Sequence, residues 1–461
     1  MRIEIAAILF TALHLGNSAK IHLRKKIKHG GVAFTKVHKY TNETLPVVNK
    51  ALSTELALDI FMVADFSLYR GAVDMFKGDE VAGEHFTSLY LNAIFEQMRI
   101  IYEGIKIYED GQNIRLSLAG TFITKREEDC PMMNSFEKEF DIERGNYTYE
   151  DDNTTLSFQA ENSTEMSYTL NAHLAIDRVT AWVKKHADFL PKHDHAVFIT
   201  KFDLLSVHGE SATQGMAYVG NICSLGDSSS VVEDIGAANT AFIAAHELGH
   251  SLGSFHDLIS KSGGCSSLDN FLMAASMSPE PSKIKNTRQF SECSKKAIVE
   301  NLKRPSTNCI RKLKLVDRTE NNDKKSDILE KFDRKPGELI TEHQQCQVAL
   351  GPSYGVCPHK AYYSQPNCGR VWCKDRSKPI NDNCETISYF PAFDGTECAR
   401  NKWCVEMSCV ENPKKMLFCN DINKKTCSRY SKAKLKHYCK NNDFFDICCR
   451  TCVLLKADKL I

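Results

Sequence analysis

The residues best suited to chemistry lie in one short stretch, His246-Glu-Leu-Gly-His250-Ser-Leu-Gly253-Ser-Phe-His256-Asp257. On an α-helix, positions i and i+4 share a face, so His246 and His250 can offer imidazole nitrogens to one ion. Glu247 follows the first histidine, where its carboxylate can reach a water beside that ion. Gly253 can take the left-handed conformation that ends a helix. The turn then brings His256 back as a third ligand and leaves a fourth position for water. Three protein ligands plus water describe a catalytic zinc site, whereas four cysteines or histidines describe a structural one. Zinc lowers the pKa of water to about 7 and polarises a peptide carbonyl. Glu247 is then the general base that takes the water's proton during attack and returns it to the leaving amine. The metal would hold the resulting oxyanion.

Such a constellation must be positioned by regular elements. The apolar pattern places a helix over Ala237 to Leu252, with Gly215-Met-Ala-Tyr-Val-Gly220 as a short strand before it. Upstream, Leu56 to Asp65 is an apolar run expected to be a buried strand. Phe86, Leu89, Leu91, Ile94, Phe95, Met98 and Ile101 form one apolar face of a helix over His85 to Ile105. Ile114 to Ile123 and Ala196 to Thr200 read as further strands, with a helix from about Thr169 to Phe189 between them. Alternating strands and helices predict an α/β sheet with helices on its faces. The acidic, polar stretch 125–165 reads as a surface insertion, and residues 311–343, dense in Lys, Asp, Glu and Asn, as a solvated linker.

The whole chain bounds these readings. It has 461 residues, net charge +1, 25% charged and 42% hydrophobic residues. That length suggests roughly three units, and the balance excludes wholesale disorder and gives no reason to expect nucleic acid as a partner. Of 19 cysteines, five (Cys130, Cys223, Cys265, Cys293 and Cys309) precede residue 345, and 14 fall between Cys346 and Cys452. The 14 form clusters of eight (Cys346 to Cys409) and six (Cys419 to Cys452), each even in number, so each can close on itself, with connectivity left open. Arg2, the apolar run Ile5 to Leu15 and the small residues Ser18 and Ala19 follow a secretory signal pattern. No other segment approaches 18 apolar residues, so no membrane anchor is expected. Four sequons, at Asn42, Asn146, Asn153 and Asn162, fit a glycosylated secreted protein. The expected organisation is a signal peptide (1–19), a short basic segment (20–54), a catalytic domain (55–310), a charged linker (311–343) and two cysteine-rich modules (344–412 and 413–461).

The extended histidine motif resembles the metzincin signature, and Asp257 after the third histidine resembles the reprolysin (adamalysin) branch. Over residues 55–310 the resemblance implies an α/β metzincin domain with a mixed twisted sheet and an active-site helix, acting as a secreted zinc endopeptidase. Gly215 to Cys223 looks like the family's strand before the active-site helix, beside which an extended substrate adds as a further strand. Phe271-Leu272-Met273-Ala274 is similar to the family's Met-turn, with Met273 beneath the zinc, although Ala275 stands where Pro is more usual. The resemblance also suggests disulfides Cys223–Cys309 and Cys265–Cys293. Cys130 is then left over, open to being free, to pairing between molecules or to altering those pairs. A structural Ca2+ is implied at Asp59, Asp194 and the Cys309 carbonyl, but Lys312 stands where Asn or Asp is usual, and a cation there opposes calcium. Family zymogens carry a large prodomain with a zinc-blocking cysteine. Residues 20–54 are shorter and hold none, so either that latency is lacking or the sequence is incomplete at the front.

The eight-cysteine segment, through Phe390-Pro-Ala-Phe-Asp394-Gly395-Thr-Glu-Cys398, resembles the disintegrin-like module of ADAMTS proteases, without an Arg-Gly-Asp triplet. The last six cysteines look like a PLAC module, with a toxin-like ShK fold as the alternative. The combination most resembles the salivary metalloproteases of ticks, which implies host fibrinogen, fibrin or matrix proteins as substrates. Nine Lys or Arg lie between Pro413 and Lys440 against one acidic residue, Asp421, so contact with sulfated glycosaminoglycans or matrix competes with a merely solvated Lys-rich face. A different class, a binding protein or toxin acting by occupancy with catalysis incidental, is weakened by the intact His246, Glu247, His250 and His256 set.

Overall fold

The computed structural model describes residues 51–132, 169–316, 334–414 and 421–457, apart from gaps at 109–110, 207–208, 210, 212, 258–263, 279, 281, 359–367, 380–381 and 400. The signal pattern, most of the basic segment, all four sequons, most of the linker and Cys419 lie outside these residues.

The chain opens with strand β1 (Ala51–Ala64), then helices α1 (Phe66–Met75) and α2 (Glu80–Glu103) and strand β2 (Arg115–Ile123). After β3 (Thr169–Asn171) come α3 (Ala172–His186), β4 (His195–Thr200), β5 (Asp203–Leu205), β6 (Gly215–Ala217), β7 (Ser229–Glu233) and helix α4 (Ala237–Ser251). The main sheet runs β2-β1-β4-β7-β6, with β8 (Arg311–Val316) added on β1. The first four strands are parallel, whereas β6 runs antiparallel at one edge. A small parallel pair joins β3 to β5.

Both faces of this sheet are covered, as parallel strands require. Side chains alternate across β1, so Leu58, Ile60 and Met62 pack on one side with α2 and α4, while Phe61 and Val63 pack on the other with α3. Each of Leu58, Ile60 and Met62 is fully buried, a contribution of about 1.5–3 kcal/mol per side chain.

Two expectations from sequence need correction. Residues 311–316 are a strand rather than solvated linker, pairing antiparallel with 51–56 from Ala51↔Val316 to Leu56↔Arg311. Within it, Lys312-Leu-Lys-Leu315 alternates charged and apolar residues, a short period-two signal masked by the charge around it. Cys130 is not in an exposed insertion. It is fully buried beside Met132 in the α3-side core, its thiol reaching the Asp65 carboxylate at 4.0 Å.

The eight-cysteine cluster closes on itself through Cys346–Cys373, Cys357–Cys384, Cys368–Cys404 and Cys398–Cys409. Its first helix, α5 (Glu342–Leu350), and the residues Tyr389, Phe390 and Phe393 enter the same hydrophobic core as α2 and α4. In the last module, Cys427–Cys448 and Cys439–Cys452 staple short helices together.

Candidate metal centre

Helix α4 is buried along its whole length, which its alanine-rich sequence allows. Its first turn is tied down: Ala237 N donates to Tyr90 Oη (2.8 Å), while Tyr90 Oη and Thr240 Oγ1 each donate to Asp234 Oδ1 (2.6 Å). Midway, Tyr102 Oη donates to the Ala245 carbonyl at 2.9 Å. The helix therefore presents His246, Glu247 and His250 from a fixed frame.

The chain then turns at Gly253, which has φ +114°, and a Cβ there would lie 2.5 Å from Asn301 Cβ. Only glycine fits both demands. The turn returns His256 to the helix, so that the three histidines offer nitrogens within 4.8 Å of one another. Nε2 of His256 lies 3.1 Å from Nε2 of both His246 and His250. His246 Nδ1 donates to the Leu272 carbonyl (2.6 Å) and His250 Nδ1 to the Ser254 carbonyl (2.7 Å), since a carbonyl only accepts. These bonds fix the tautomers and leave the Nε2 lone pairs pointing at one place.

That donor set fits zinc. Three nitrogens bound at zinc–imidazole distances in tetrahedral array stand about 3.3 Å apart, close to the separations here. Burial first, then the neighbouring imidazoles, holds His246 down at about 3. Burial likewise puts His250 at about 4 and lowers His256. All three are thus in the neutral form in which an imidazole can bind a metal. Glu247 is buried, and desolvation alone pushes its carboxyl up to about 8, a shift that a nearby dication opposes.

Surrounding residues hold these groups. Met273 is fully buried, and its Sδ would sit 2.5 Å from a Cβ at Gly249, so it packs against the second turn of the histidine motif. Asp257 is buried, accepts from Ser291 Oγ (2.6 Å) and donates its N–H to the Met273 carbonyl (2.8 Å). Cys223 is joined to Cys309 and Cys265 to Cys293, tying the segments before and after α4 to the helix Glu292–Leu302 and the turn that follows it. Sequence reasoning passed over Gly215 as an individual residue: a Cβ there would lie 2.5 Å from Glu247 Oε1, so β6 leaves room for the carboxylate only because residue 215 lacks a side chain. Nothing in the local sequence signals that contact.

The expected calcium position does not fit calcium. Lys312 Nζ donates to Asp59 Oδ2 (2.9 Å) and Asp194 Oδ2 (2.7 Å), placing an ammonium between the two carboxylates. Partial burial lowers the lysine, but its bonds to Asp194 and Asp59 outweigh this and hold it above its ordinary value, fully charged. Asp194 Oδ2 also accepts from Asp59 N at 2.8 Å.

The mixed sheet thus backs a buried helix that carries two histidines, and the turn at Gly253 adds a third to form a donor set able to hold zinc. Residues 158–313 match the reprolysin (M12B) family zinc metalloprotease and residues 336–410 match ADAMTS cysteine-rich domain 2. It is similar to A disintegrin and metalloproteinase with thrombospondin motifs 1 of Mus musculus, 34% identical over 251 residues that cover 52% of this chain and 23% of that protein. It is also similar to A disintegrin and metalloproteinase with thrombospondin motifs 15 of Homo sapiens, 33% identical over 248 residues, covering 53% and 24% respectively. The chain thus spans about a quarter of the length of these relatives.

Proposed function

We propose that this chain is a secreted zinc endopeptidase that hydrolyses peptide bonds of extracellular proteins, with His246, His250 and His256 as zinc ligands and Glu247 as general base. The observation that carries the reading is the convergence of three neutral imidazole nitrogens one residue from a buried carboxylate. Zinc, when bound, supplies Lewis acidity toward water and a peptide carbonyl. Glu247 takes a proton from the attacking water and delivers it to the leaving amine. Strand β6 has β7 on one side and ends the sheet on the other, so an extended substrate can pair along its open edge. His256 and Phe255 are exposed, which opens the site on this side.

Secretion is supported by the disulfides in all three regions, a pattern of oxidising compartments. No helix among the described residues is long and apolar enough to cross a membrane. Fibrinogen, fibrin and matrix proteins are the substrates proposed. Contact with sulfated glycosaminoglycans is supported by the last module, where Lys424, Lys425, Arg429, Lys432, Lys434 and Lys436 are all exposed. The acidic residue among them, Asp421, is occupied in accepting from Thr451 N and Oγ1.

The test is cleavage of fibrinogen and gelatin by the purified chain beside a Glu247→Ala variant. The variant should retain zinc and lose about 10²–10⁴-fold in rate. Equal cleavage by both proteins would remove Glu247 from the mechanism. Zinc binding without any cleavage would favour action by occupancy.

A further inference from the structure

We propose that Asp394, in the cysteine-rich module, is a positioning residue for the metal centre, so that this module forms part of the site's architecture. The inference rests on reading the three histidines as a zinc centre. Asp394 is 1% exposed, and its carboxylate forms a forked pair with Arg288 at 2.8 Å and 3.4 Å. It also accepts from Glu406 N at 2.9 Å, and its own N–H donates to Gln97 Oε1 on α2 at 2.9 Å. Arg288 is itself buried, so this is an ion pair whose partners depend on each other: a guanidinium left there without its counter-charge is strongly unfavourable.

From Arg288 two routes lead to His246. The guanidinium lies over the ring of Phe242, 5.9 Å from its centroid, and Phe242 is one helical turn before His246 on α4. The next residue, Gln289, accepts at its carbonyl from Leu272 N (2.8 Å), and the Leu272 carbonyl is the acceptor that orients the His246 ring (2.6 Å). A shift of Arg288 therefore reaches the ligand both through its helix and through its hydrogen-bond partner. Partners of this kind tune metal affinity as well as hold the fold. Residue 394 thus acts on a ligand 148 positions earlier in the chain.

The test uses the full chain and three variants: Asp394→Asn, Arg288→Lys and, as a control in the same interface, Asn239→Ala. Asn239 Nδ2 donates to the Tyr389 carbonyl at 2.6 Å, a bond that includes neither Arg288 nor Leu272. Zinc affinity is measured by chelator competition, with the visible spectrum of the cobalt-substituted protein and thermal melting alongside. Asp394→Asn should weaken zinc binding by about tenfold or more and shift the cobalt bands, with Arg288→Lys between it and wild type. Asn239→Ala should lower the melting temperature while leaving affinity and spectrum unchanged. Wild-type affinity and spectrum in Asp394→Asn would overturn the proposal, as would an equal loss in Asn239→Ala. Should Asp394→Asn fail to fold, unaltered zinc binding by Arg288→Lys would overturn it instead. A wild-type chain that binds no zinc would overturn the metal-centre reading and this inference with it.

Discussion

The described fold pairs a candidate cation site with a cation brace, built on opposite terms. Beside α4, three imidazoles, two of them (His246 and His250) held neutral by burial, aim their nitrogens at one point. Where β1 and β8 meet the start of β4, two carboxylates carry the charge and Lys312 supplies the cation from the chain itself. Neutral donors leave a bound dication most of its charge, which is what polarising a carbonyl requires. Carboxylates already paired with an ammonium have nothing left to offer calcium, whose sites depend on several anionic oxygens. One fold thus contains a candidate centre whose ion would come from solution and a brace that is complete without one. The difference arises from single residues: His256 returned by Gly253 at the first, and Lys312 at the second.

The comparison can be broken most sharply at the first site. His250→Ala removes one of the three proposed ligands, and should abolish both stoichiometric zinc and detectable cleavage while leaving the Lys312 brace and the folded far-UV spectrum in place. Retention of tight zinc by that variant would mean the ion is held elsewhere. Gly215→Ala should act next most strongly. Its Cβ would crowd Glu247 Oε1 at 2.5 Å, forcing the carboxylate aside, and a displacement of about 1 Å costs on the order of 10²-fold in rate. Zinc content should stay at wild type, and an unchanged rate would show that Glu247 needs no such clearance.

The second site yields smaller effects, read in stability. The wild-type melting temperature should not differ between millimolar calcium and a calcium chelator. Lys312→Asn should lower stability by about 1–3 kcal/mol without calcium, because Asp59 and Asp194 then lack their counter-charge, and added calcium should recover part of it. Calcium stabilisation of the wild-type chain would contradict the account of Lys312.

The convergence of the three histidines was the most legible part of the sequence because its logic is local. His246, His250 and His256 follow from helical periodicity and one glycine turn, and β1, α2, β4 and α4 announce themselves by long apolar patterns. Strand β7 was not legible: Ser229-Ser230 looks like a loop, yet both are fully buried, with Ser228 and Ser230 hydroxyls meeting the ring of His195. Helix α1 is short and interrupted by Gly71, so its face is hard to distinguish from a turn. Hardest to read were contacts between distant segments. Asp394 and Arg288 are 106 residues apart and Gly215 and Glu247 are 32 apart, and no periodicity or spacing rule connects either pair. The cysteine-rich segment was recognisable as a module, but its shared core with α2 and α4 is a property of the fold alone.

The most direct test of the central claim follows cleavage and bound metal together as the purified chain is stripped with a zinc chelator and then titrated with zinc. Cleavage should fall with the departing ion and return in proportion to zinc up to one equivalent per chain. Undiminished cleavage by the metal-free protein would contradict it.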